Sequence, residues 1–155
     1  MRESEVALFV HLLGVVLLAA GSGAAAVGLE RARRRDDPGE VAALLGVARA
    51  GVALVALGTA TVIAGGVWLI AIGPYDFGDG WLSASLGLLV VSAALGAVGG
   101  RRPKQARLHA ERLARDHAPA DPLLRQLLND RVALVLNYLS ALVLIGVLAL
   151  MIAKP

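Results

Sequence analysis

The chain has no cysteine, and only 4% of its residues are aromatic. The first absence removes disulfides, thiol catalysis, thiolate metal sites, iron–sulfur clusters and c-type haem attachment together. A further absence is local. Asp, Glu, Lys and Arg are missing from Ala7 to Leu29, Ala50 to Tyr75, Trp81 to Gly100 and Val132 to Ala153. An α-helix needs ~20 apolar residues to cross a bilayer, and each stretch meets that length. No span therefore holds a carboxylate, the group on which proton-coupled pumps and small multidrug exporters depend to bind cation or proton. The chain also lacks a Ser-His-acid set, a His pair at metal-binding helical spacing and a nucleotide fingerprint. Its glycine-rich stretch Gly73 to Gly80 has no Lys and is not a phosphate loop.

What is present is apolar and segregated. Of 155 residues, 57% are hydrophobic, and the charges crowd between the uncharged stretches. We read an all-α, four-helix integral membrane bundle, a single domain with spans at about 7–29, 50–72, 81–100 and 132–153. The first span could pass for a signal peptide, with Ala24-Ala25-Ala26 as a cleavage site. Its leading segment carries Glu3 and Glu5 against one Arg2, and Arg31, Arg33, Arg34 and Arg35 follow it, so we expect it to be retained.

Orientation follows from the cations. Arg31, Arg33, Arg34, Arg35 and Arg49 lie at the first connection. Arg101, Arg102, Lys104, Arg107, Arg112, Arg115, Arg125 and Arg131 lie at the third. The middle connection has none and carries Asp76 and Asp79. The positive-inside rule places connections one and three in the cytoplasm and both termini outside. Trp68, Tyr75, Phe77 and Trp81 gather at the outer end as an interfacial belt. The expected partners of the cations are anionic lipid headgroups, not nucleic acid.

Punctuation adds detail at the cytoplasmic side. Asp37-Pro38-Gly39-Glu40 and Asp121-Pro122 carry helix-start signals, so the second helix begins in water and runs through Arg49 into the membrane. Pro103 to His117 is polar and helix-prone, and we expect a short amphipathic cytoplasmic helix there. Leu123, Leu124, Leu127 and Leu128 share a face, to lie at the interface or against another helix. Within the spans, Ser92-Gly96-Gly100, Ala56-Ala60-Ala64 and Gly14, Gly21 and Gly23 mark helix contacts, and Leu89 is read as lipid-facing.

Candidate ligand-binding residues are few. His11 is the one imidazole inside a span. It either ligates haem iron or relays protons, or it is a neutral His bonded to a neighbouring helix or one that reaches the headgroups. Arg49 either holds a haem propionate or snorkels to the interface. Asn137 should make an interhelical hydrogen bond, and His109 and His117 read as solvated surface.

The segments Phe9-Val10-His11-Leu12-Leu13-Gly14, Leu128-Asn129-Asp130-Arg131, Leu136 to Leu142 and Met151 to Pro155 resemble a bacterial family of integral membrane proteins classed only as a domain of unknown function. More distantly, a His early in the first helix is similar to copper-resistance-D-like proteins and to the haem-containing protoporphyrinogen oxidases of bacterial membranes. That likeness implies haem b at His11. The oxidases also use a Lys near the start of a later helix, and Trp81 to Ser85 has none. A copper route would need a His or Met cluster that the chain lacks. We expect a non-enzymatic structural or accessory component of a membrane assembly, with a homo-oligomer or membrane-complex partner. The alternatives are a haem-binding redox protein using His11 and Arg49, and a small transporter.

Overall fold

In the computed structural model, residues 2–73 and 80–153 are described. They form six helices and no strand: α1 Glu3–Arg33, α2 Pro38–Ile72, α3 Gly80–Gly99, α4 Arg101–Arg115, α5 Pro122–Leu128 and α6 Arg131–Ala153. Four helical stretches are long and apolar enough to cross a membrane. Tyr75 and Phe77 of the expected aromatic belt lie outside the described residues.

The helix starts are those their residues favour. The Asp37 carboxylate accepts from Glu40 N–H at 2.8 Å with Pro38 in the first turn, and Asp121 accepts from Leu124 N–H at 2.8 Å with Pro122 likewise. Asp121-Pro122 stands ahead of the fourth span, as its sequence suggests. It opens α5, which stops at Asn129, and α6 begins afresh with Asp130 accepting from Ala133 N–H at 2.9 Å.

The spans associate as two pairs. α1 packs along α2 and α3 along α6, while across the gap between the pairs the spans scarcely touch. The α1–α2 contact is built on glycines at seven-residue intervals: Gly14, Gly21 and Gly28 face Gly51, Gly58 and Gly65 and their neighbours. A Cβ on Gly21 would stand 2.6 Å from Gly51 O, and one on Gly58 2.7 Å from Leu18 N. The backbones therefore meet directly. A seven-residue period drifts by ~20° per repeat on a straight helix, and a left-handed supercoil keeps the seam in register.

Gly14 and Gly21 are contacts as expected, and the rest of the small-residue reading is corrected in part. Ala56, Ala60 and Ala64 are exposed, and a Cβ on Gly23 would meet nothing within 4 Å. On α3, Ser92 and Gly96 do face α6, but Gly99 rather than Gly100 completes the face, and Leu89 is buried, not lipid-facing. Ser92 and Ser140 clasp reciprocally: each hydroxyl reaches the other's carbonyl, at 3.0 and 2.8 Å. Asn137 Nδ2 donates to Gly99 O at 3.4 Å, the expected interhelical bond.

A second kind of core closes the basic end. α1 and α2 are 31 and 35 residues long, well beyond the ~20 that cross hydrocarbon, so their basic ends project past it. α4 lies on α2, and α5 lies on α4 and α1. Between them Ala32, Val41, Leu45, Ala106, Ala110, Leu124, Leu127 and Leu128 form one buried cluster. Leu123, expected on the same apolar face, stays 48% exposed. Outside lipid the hydrophobic effect operates, so this layer is held by Leu burial at ~1.5–3 kcal/mol each, where the spans rely on close backbone contact. α4 is the expected amphipathic helix, and it ties the two pairs together.

Candidate functional site

His11 sits on α1 where Gly65 of α2 brings the two backbones together; a Cβ on Gly65 would be 2.7 Å from His11 N. Its Nδ1 lies 3.0 Å from Val62 O. A carbonyl only accepts, so the Nδ1–H is the donor in this contact. The ring is half-buried, and the histidine-to-neighbouring-helix contact foreseen as one alternative is present.

Arg49 is exposed on α2 and pairs with no acid among the described residues. It precedes Val62 by thirteen positions, which is about 20 Å along a helix. The fold thus sets Arg49 about 20 Å along α2 from the carbonyl that meets His11. Among the described residues no group of three or more His, Asp or Glu side chains converges as a metal site would require.

The basic end carries most of the polar geometry. Glu30 is shared by Arg33 at 3.0 Å and Arg34 at 2.7 Å. Arg33 also reaches Asn129 Oδ1 through Nε and Nη2, both at 3.2 Å, tying the end of α1 to the α5–α6 break. Arg125 pairs with Asp36 and donates to Arg33 O at 3.4 Å, and Arg102 pairs with Asp130 at 3.1 Å. His109 is not solvated surface: its Nε2–H donates to Asp121 Oδ2 at 2.8 Å, linking α4 to the cap of α5. The Leu124 N–H, followed by the His109 ring, holds the Asp121 carboxyl below its ordinary value of 3.8. Sequence reading missed this link because twelve residues and a turn separate the partners. His117, by contrast, is exposed, in the left-handed conformation at φ 50° just after α4.

Two clefts open at this end. One, of about 630 Å³, lies between the α1–α2 turn and the chain following α4, with Asp36, Asp37, His117 and Pro119 on its walls. The other, of about 460 Å³, runs along α1 past Ala26, Val27, Glu30, Arg31 and Arg34 and is faced by Tyr138 of α6. It lies where the two helix pairs approach each other. Arg31 makes no ion pair among the described residues, and its neighbour Glu30 is already neutralised.

No curated protein and no solved structure matches the chain. The comparisons do not show the distant likeness to copper-resistance-D-like proteins and the membrane oxidases. A family model described as a predicted integral membrane protein matches residues 5–155. With four apolar helices of spanning length across that same region, the chain belongs to the DUF2269 family of integral membrane proteins.

Proposed function

We propose that the protein is a non-enzymatic structural or accessory component of an assembly in the bacterial plasma membrane, with its basic end in the cytoplasm and both termini outside. The supporting observation is the surface the chain leaves uncovered. α2 turns Ala56, Ala60 and Ala64 outward, exposed among the described residues. The most apolar part of the fourth span is only 6% buried within the chain. Small residues at four-residue spacing let a neighbouring backbone approach closely, and close approach is what holds helices together in lipid. A second copy of this chain or a helix of another membrane protein would fill the α2 face.

The absence of native cysteine makes the test direct. Ala60→Cys in native membranes under mild oxidation should cross-link, either to a second copy or, through a bifunctional reagent, to another membrane protein. A species running only at the monomer mass of 15.9 kDa under every condition would sink the reading. The rival is haem at His11, whose Nδ1 is held by Val62 O, leaving Nε2 as the ring nitrogen outside that bond. An absorption spectrum of protein purified from haem-supplemented cells separates the two. A Soret band lost in His11→Ala, with His109→Ala and His117→Ala unchanged, would favour haem.

A further inference from the structure

We propose that the cleft between α1 and α6 at the basic end is a binding site for the headgroup of one anionic glycerophospholipid. Its lining is graded as such a molecule is graded. Ala26, Val27, Glu30, Arg31 and Arg34 fall on one face of α1, spanning about 12 Å along its axis. The membrane-side end of that face is apolar and the outer end is cationic. Tyr138 stands opposite, 56% exposed, its hydroxyl making no hydrogen bond among the described residues. Tyrosines at this depth present an apolar ring to acyl chain and a donor to the headgroup.

The local charge is also right. Arg33 and Arg34 together neutralise Glu30, so the face carries a net positive charge, with Arg31 free to meet a phosphate. The volume, about 460 Å³, lies within the ~300–1,000 Å³ range of small-molecule sites. Because the helix pairs scarcely touch across the membrane, acyl chains can extend from the cleft into the gap between them. Basic pockets between transmembrane helices at the cytoplasmic side are suited to anionic lipid headgroups. A lipid held here would complete the contact between the two pairs that the protein leaves open.

The test is native mass spectrometry of the full chain in mild detergent, supplied with equal phosphatidylglycerol and phosphatidylcholine. The wild type should retain one phosphatidylglycerol in preference to phosphatidylcholine, and millimolar inorganic phosphate should not displace it. Arg31→Ala/Arg34→Ala should lower retention about tenfold, and Tyr138→Phe should lower it less. Arg112→Ala/Arg115→Ala removes the same charge from α4, away from the cleft, and should leave retention unchanged. Arg34 also holds Glu30, so Arg31→Glu serves if the double variant misfolds: Arg31 makes no bond that the fold needs, and this variant too should lose the lipid. Equal losses from the two double variants would show a diffuse electrostatic effect and overturn the site. So would retention unaffected by Arg31→Glu, or displacement by inorganic phosphate, which would make the site one for free anions.

Discussion

At Gly21 a single methyl group would press against the carbonyl of Gly51 at 2.6 Å, and neither helix can yield without separating from the other. Gly23, two positions on, meets nothing within 4 Å. Gly21→Ala should therefore cost ~1–3 kcal/mol as overpacking, seen as a lower melting temperature in detergent. Gly23→Ala should be neutral or stabilising, since alanine is the better helix former. Asp121 offers a pH test at the same scale. Its carboxyl titrates lower in the fold than in the unfolded chain, so the fold favours the ionised form. That contribution is fully present above the ordinary value of 3.8 and is lost as pH falls through the lowered native value. The melting-temperature gap between wild type and Asp121→Asn should close as the pH falls below the ordinary carboxylate value. A gap that widened towards acid would contradict the sign.

Among elements, α5 shows how seven residues can matter through one face. Leu124 and Leu128 are almost wholly buried against α1, α2 and α4, while Leu123 is half in water. Leu128→Ala should cost ~2–5 kcal/mol, and Leu123→Ala should stay within about 0.5 kcal/mol of wild type. Hydrogen exchange should report the first loss in α4 and α5 and leave α3 and α6 protected, because that pair is held by Ser92, Ser140 and Gly99 within the membrane. The leucine face was visible in the sequence because aqueous helices advertise burial by apolar periodicity. Its partners Ala106 and Ala110 were not, since alanine is as common on exposed helix faces as in cores. Of the glycine seam, Gly14 and Gly21 were read as contacts, while Gly28 and the α2 glycines were missed for a different reason. Gly14, Gly21 and Gly28, with Gly51, Gly58 and Gly65, are plain in the chain at intervals of seven, but a search for small residues at intervals of four selects Ala56, Ala60 and Ala64.

For the whole molecule, the charge asymmetry is the strongest lever. Thirteen of the fifteen Lys and Arg flank the basic end, so reporter fusions after Pro38 and Pro119 should read as cytoplasmic and one after Gly78 as external. A cytoplasmic reading at Gly78 would reverse the proposed topology. The four apolar helices and the starts of α2 and α5 could all be read from the chain. Hydrocarbon length, charge exclusion and capping chemistry are local properties, written residue by residue. The pairing of the spans could not be read that way. In lipid every face of a span is apolar, so hydropathy does not distinguish a helix contact from a lipid contact. Backbone approach alone decides that α1 meets α2 and α3 meets α6. The same holds for the separation of His11 from Arg49, for the bond between His109 and Asp121, and for the cleft that sets Arg31 beside Tyr138. Each is a relation between residues far apart in sequence, and it exists only once the helices have been laid against one another.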